Sequence, residues 1–249
     1  MSKSEKRKIK GKPFRNTDKQ PSKEILQWSK HFRNKGKTVD SHRYHQNRHE
    51  PYQYKFNNQG FRSEDFAEPE KDCYLVLGGS DTFGKGNVYE DLWHQQLSKL
   101  AGTTIYNLGI GGGAPDTIAR LLSGWIDHIK PTKVFVLWPP TTRWELYLQD
   151  QFKILSVGSI SDERLQSDKD FNEDYMKHYL LNDNNSIINF HKNKIFVKAL
   201  CDKLDVKLYE CHYSDIILDH KNSLARDNSH AGVEFHTRIA KDFYNLLGI

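Results

Sequence analysis

The chain has 249 residues, 37% of them apolar, and a net charge of +5. That length accommodates one sizeable domain, and no apolar run approaches the roughly 18 residues needed to span a bilayer. The charge is uneven: residues 1 to 50 hold 15 Lys or Arg against 5 Asp or Glu, and the remainder holds 22 against 27.

The first 50 residues read as a basic arm, too poor in apolar side chains to fold alone and largely disordered. Such an arm can dock on a polyanion or on the acidic surface of a larger assembly, a virion if the chain is phage-encoded. Its start, "MSKSEKRKIKGK", lacks the apolar core of a secretory signal, so a cytoplasmic protein is expected. His42, His45 and His49 share one helical face without a Cys or carboxylate at a familiar spacing; neither metal nor cofactor is expected. Cys73, Cys201 and Cys211 follow no framework spacing and read as reduced thiols.

From residue 73 onward, apolar strands alternate with helical patterns, the mark of βαβ units and a parallel sheet within a domain spanning 51–249. Strands are expected at 73–78, 103–109, 133–138 and 206–211. Helices are expected over 88–101, with Val88, Leu92 and Leu100 on the buried edge, and over 114–130, with Ile118, Leu121, Leu122, Trp125, Ile126 and Ile129 inward. A long helix over about 184–204 carries Ile187, Ile188, Phe190, Ile195, Phe196, Ala199 and Leu200. An amphipathic helix closes the chain, and the polar stretch 150–175 reads as a surface excursion.

Three places along this pattern carry chemistry. The strand "YLVL" breaks into Gly78-Gly79-Ser80, which delivers a serine at the carboxyl end of a strand, where open α/β sheets bind ligands. Helix capping is the competing explanation of that serine. Asp227 and His230, three apart before the last helix, have the spacing at which a turn sets a carboxylate against the imidazole Nδ1–H, the pair that makes a serine nucleophilic. "NLGIGGGAPDT", residues 107–117, leaves backbone N–H groups unshielded at the end of the second strand, suited to an oxyanion. It fits neither phosphate-loop pattern.

These blocks, in this order, resemble the SGNH (GDSL-type) hydrolases over residues 54–247, and "YKFNNQGFRSED" resembles the N-x-x-G-F-R lead-in of many members. The resemblance implies a flavodoxin-like three-layer α/β/α sandwich with a central parallel sheet. It also implies hydrolysis of an ester, often an acyl or acetyl group on a carbohydrate or small molecule. By position, Ser80 would be the nucleophile and an oxyanion donor through its N–H, Gly112 a second donor, and Asp227 and His230 the rest of the triad. The G-x-S-x-G motif of α/β-hydrolases does not fit Gly78-Gly79-Ser80-Asp81-Thr82. Gly79 stands where the family usually has Asp. The third block is degenerate: "LWPPTTRWE" replaces a G-x-N-D whose Asn donates to the oxyanion. Counting along the strand puts Thr141 at the Asn position, with Arg143 close by as a possible source of substrate or charge stabilisation. The alternative reading is a catalytically weak or inactive SGNH-fold binding or structural protein docked through its arm. A nucleic-acid module rests on the arm alone, since no recognition motif is present.

Overall fold

The computed structural model describes residues 21–28, 34–40, 53–66, 72–148, 151–155, 176–180, 182–216 and 224–248. Most of segment 1–50, including His42, His45 and His49, lies outside the described residues, as does 156–175.

In chain order, α1 (Lys23–Gln27) precedes β1 (Thr38–Asp40) and β2 (Gln53–Lys55), which pair antiparallel. The βα pattern follows: β3 (Tyr74–Gly78), α2 (Ser80–Phe83), α3 (Trp93–Ala101), β4 (Ile105–Asn107), α4 (Pro115–Ile129) and β5 (Lys133–Trp138). A hairpin of β6 (Trp144–Leu148) and β7 (Gln151–Leu155) comes next. The chain continues through α5 (Asp183–Lys203), β8 (Lys207–His212), α6 (Tyr213–Ile216) and α7 (Val233–Leu247).

The central sheet is parallel throughout, in the order β4-β3-β5-β8. By chain order this is 2-1-3-4, the flavodoxin-like winding, in which the strand order reverses beside the first strand. Alternate residues of each strand face opposite layers. Leu75, Leu77, Val134 and Val136 pack with α4 and with Val197 and Cys201 of α5. Tyr74, Val76, Phe135 and Leu137 pack with Trp93 and Leu97 of α3 and with Phe235, Ile239 and Phe243 of α7. Two covered faces explain why the strands read as unbroken apolar runs.

Two helices divide their apolar residues between core and solvent. α3 begins only at Trp93, because a 3₁₀ turn at Tyr89–Asp91 and an extended Leu92 (ψ 143°) precede it. Its buried side is Trp93, His94 and Leu97, and Leu100 is exposed. On α5 the inward residues are Ser186, Val197 and Cys201, with Phe190 and Leu200 against the core. Ile187, Ile188, Ile195 and Phe196 point to solvent, because they lie on the opposite side of a 3.6-residue repeat. The hairpin β6–β7 occupies part of the stretch expected as irregular surface.

Two pieces of the expected arm are built onto the globule. α1, capped by Ser22, lies against α4: Trp125 Nε1 donates to Gln27 O (3.1 Å) and Gln27 Nε2 donates to Gly124 O (3.0 Å). A Cβ at Gly124 would stand 2.7 Å from the carbonyl carbon of Leu26, so this contact requires glycine. Arg120 of α4 donates to the carbonyls of Leu26 and Trp28 and to both carboxylate oxygens of Glu145 on β6. No helix among the described residues is long and apolar enough to cross a membrane.

Candidate active site

The end of β3 is shaped by close approach. A Cβ at Gly78 would stand 2.1 Å from Thr82 Oγ1 and 2.8 Å from Leu137 O, so only glycine lets the chain turn there. Ser80 is the first residue of α2, where its amide has no intrahelical acceptor. Its side chain is 6% exposed and makes no hydrogen bond among the described residues.

The lead-in segment braces this turn from below. Asn57 Oδ1 accepts from the amides of Gln59 and Phe61, which curls the loop so that Arg62 points inward. Arg62, fully buried, donates to the carbonyls of Phe83 (3.2 Å), Gly84 (2.5 Å) and Asn87 (2.6 Å), and its guanidinium lies 4.6 Å from the Tyr54 ring centroid. Removing it strands three buried carbonyls and empties the site. Arg62→Ala is expected to cost about 3–5 kcal/mol, as losing one partner of a buried charged group does. At this chain length that lowers the melting temperature by about 6–15 °C. A melt within 2 °C of wild type would show that the carbonyls find other donors.

The second block closes over the same turn. Asn107 donates to Thr82 O (2.8 Å) and accepts from the Gly109 amide (2.7 Å). A Cβ at Gly109 would stand 2.5 Å from Phe83 N. Behind Asn107, the fully buried His94 faces the Asn107 amide nitrogen through Nδ1 at 3.3 Å, and its Nε2 has no hydrogen-bond partner among the described residues. Burial, then the charges of Arg62 and His236, hold its imidazole well below the usual value. The folded chain therefore binds fewer protons than the unfolded chain below pH ~6.5, and stability falls as pH drops through that region. Urea unfolding should show a loss of up to about 1 kcal/mol from His94 between pH 6.5 and 5.5. His94→Gln should flatten that part of the curve; an unchanged slope would assign the effect elsewhere.

The third station is the turn before α7. Ala225 N donates to His230 O (2.8 Å), Asn228 takes a left-handed φ of 53°, and Asn87 Nδ2 donates to Ala231 O (2.9 Å). Inside the turn, Asp227 Oδ2 lies 2.5 Å from His230 Nδ1, and Oδ1 accepts the amides of Ser229 (3.1 Å) and His230 (2.9 Å). Burial pushes the Asp227 carboxyl up, but the hydrogen bonds and charge of His230 and the Ser229 amide outweigh it and hold it far below the usual range. Gly86 (φ 84°) lets this turn close in, since a Cβ there would stand 2.9 Å from Asp227 Oδ1.

Ser80 and His230 line one cavity of about 210 Å³, together with Asp81, Pro139, Arg143 and Tyr213. It opens at the ends of β3 and β5, where the strand order reverses and open sheets of this kind place their ligands. Arg143 N donates to Pro140 O (3.3 Å), closing a turn with Thr141 at its corner. Arg143 thus lines the cavity; Thr141 and Gly112 are not among the described residues that do. Gly112 has a φ of 78°, and its neighbour Gly113 accepts from Arg143 Nη1 at 3.5 Å. A larger cleft of about 700 Å³, between β2 and Tyr89, contains none of these residues. Among the described residues no group of three His, Cys, Asp or Glu is placed to hold a metal ion.

No family model matches the sequence, and no curated protein matches it in sequence. Solved structures do resemble it in shape. A psychrotrophic esterase from Pseudoalteromonas sp. superposes with a TM-score of 0.45 at 11% identity, over 72% of this chain and 97% of that one. A carbohydrate acetylesterase from Sinorhizobium meliloti gives 0.36 at 14%, over 72% and 99%. A family 3 carbohydrate esterase from Clostridium thermocellum gives 0.36 at 15%, over 70% and 94%. What decides the architecture is the winding of the sheet, with a serine behind the first strand and the Asp-x-x-His turn before the last helix. The fold is a three-layer α/β sandwich with a parallel sheet of flavodoxin-like winding. Arg62, Gly86 and Asp81 were not singled out from the sequence as parts of the site. The lead-in motif already contained Arg62, but nothing local indicated what it would hold.

Proposed function

We propose that this SGNH-fold protein is a serine ester hydrolase. The observation that carries the reading is the shared cavity of Ser80 and His230, with Asp227 2.5 Å from the far nitrogen of the same imidazole. Asp227 holds the ring with Nδ1 protonated, so Nε2 is free to accept the Ser80 proton. Ser80 Oγ attacks the ester carbonyl carbon, and negative charge moves to the carbonyl oxygen. The Ser80 amide, at the first position of α2, is the backbone donor for that oxygen. The intermediate collapses, the alcohol leaves with the proton from His230, and an acyl-Ser80 remains. Water, deprotonated by His230, releases the acid and restores the serine.

A cavity of about 210 Å³ with a guanidinium and a carboxylate in its wall suits a small acyl group better than a long alkyl chain. An acetyl or similar group on a carbohydrate or small molecule fits this chemistry. The basic residues among 1–50 supply the contact to a polyanion or an assembly partner. The non-catalytic binding reading is favoured by one observation, the degenerate third block, in which Thr141 follows Pro139-Pro140 where the family's Asn would donate. A fluorophosphonate probe decides between them, because it reacts only with an activated serine. Labelling at Ser80 supports the hydrolase, and a folded, unlabelled chain supports the binding protein.

A further inference from the structure

We propose that Arg143 is the charged donor to the oxyanion, in place of the side-chain amide at this strand end. This rests on the ester-hydrolase reading and adds the group that completes it.

The argument begins with what arginines do elsewhere in the chain. Arg62 donates to three backbone carbonyls through its two terminal nitrogens, and Arg120 to Glu145 and two carbonyls. Both are structural clamps. Arg143 is different: among the described residues its one hydrogen bond is the long contact from Nη1 to Gly113 O at 3.5 Å. Its side chain lines the cavity that also holds Ser80 and His230. A half-buried guanidinium with idle donors is costly unless a ligand oxygen completes it.

Its location is specific. Nη1 lies 3.3 Å from where a Cβ of Gly79 would be, beside the residue whose peptide bond carries the Ser80 amide. The guanidinium and that amide therefore converge on one corner of the cavity. Gly79, in place of the family's usual Asp, leaves room for the guanidinium. A turn closed by Arg143 N and Pro140 O follows β5, and Arg143 rather than Thr141 lines the cavity. Asp81 and Tyr213 are the ionisable groups facing Arg143, and His230 faces Asp81 from the other side. Asp81 lines the same cavity without a hydrogen bond or ion pair to Arg143 among the described residues, so it does not occupy the guanidinium donors.

The test measures the rate of phosphonylation by the fluorophosphonate and of p-nitrophenyl acetate hydrolysis in Arg143→Ala, Arg143→Lys and Thr141→Ala. Arg143→Ala should lose about 10²–10³ in kcat with KM within about threefold, as loss of one oxyanion donor does. Arg143→Lys should recover part of it, as a point charge without the planar fork. Guanidinium at about 20 mM, well below denaturing levels, should restore Arg143→Ala by about tenfold by refilling the vacated site; a purely structural arginine would not respond. If alanine unfolds the chain, the Lys variant carries the test. A rise in KM alone, no guanidinium rescue, or a larger loss in Thr141→Ala than in Arg143→Ala would overturn the assignment. Wild-type rates in Arg143→Ala, with wild-type Ser80 labelled, overturn it and leave the hydrolase standing. An unlabelled wild type overturns both.

Discussion

Ser80→Ala is expected to abolish fluorophosphonate labelling and to lower ester turnover by about 10⁶, the scale on which removal of a nucleophilic serine acts. The protein should remain folded. The Ser80 side chain makes no hydrogen bond among the described residues, so removing its oxygen leaves no buried partner unsatisfied. The turn itself is held by other groups: Gly84 N and Lys85 N bond to Ser80 O at 2.8 and 3.0 Å, and Arg62 holds the carbonyls that follow. The competing explanation of this serine is capping, but Gly79 occupies the N-cap position of α2 and no side chain caps it. Capping would make the alanine variant melt earlier; nucleophilic chemistry would leave the melt alone and remove the label. Labelling that survives in a folded Ser80→Ala sample would place the reactive group elsewhere.

Asp227→Asn carries the second largest effect, about 10⁴ in kcat with little change in KM. An asparagine can keep its oxygen on the amides of Ser229 and His230, so the turn survives. Its NH₂ then meets His230 Nδ1, which must become an acceptor. The proton moves to Nε2, and the ring can no longer take one from Ser80. The geometry persists while the tautomer fails, so circular dichroism should be unchanged as activity falls. Because the Asp227 carboxyl is held far below its usual range, it is expected to stay ionised and to keep its bond to His230 at mildly acid pH. Near-wild-type turnover in Asp227→Asn would remove Asp227 from the mechanism.

The site was partly legible because two of its stations are local. The Asp227–His230 contact spans three residues, and a single turn closes it. Ser80 follows directly from the strand that ends at Gly78. Thr141 was reached by counting along β5, which assumes that the strand's direction continues beyond its end. Pro139-Pro140 and the turn to Arg143 break that assumption. The hairpin β6–β7 escaped notice because its connection, residues 149–150, is Gln-Asp, without the glycine or asparagine that announces a tight turn.

The sequence by itself determined the order and type of the βα units. Unbroken apolar runs such as Tyr74–Leu77 have no stable placement except between two helical layers. It also determined the stretch of α4, where the inward face, the N-terminal Pro115 and the stop before Pro131 all agree. Only the tertiary structure decided which face α3 and α5 bury, since each carries apolar residues on more than one side. It alone decided that α1 docks on Gly124, 97 residues from Gln27, and that Arg62 reaches carbonyls 21 to 25 residues ahead. It alone decided that Arg143, and not Thr141, lines the cavity with Ser80. Hydrophobic periodicity and turn chemistry act over a few residues and can be read along the chain. The partner of a buried charge is chosen by where distant segments meet, and no local pattern encodes that meeting.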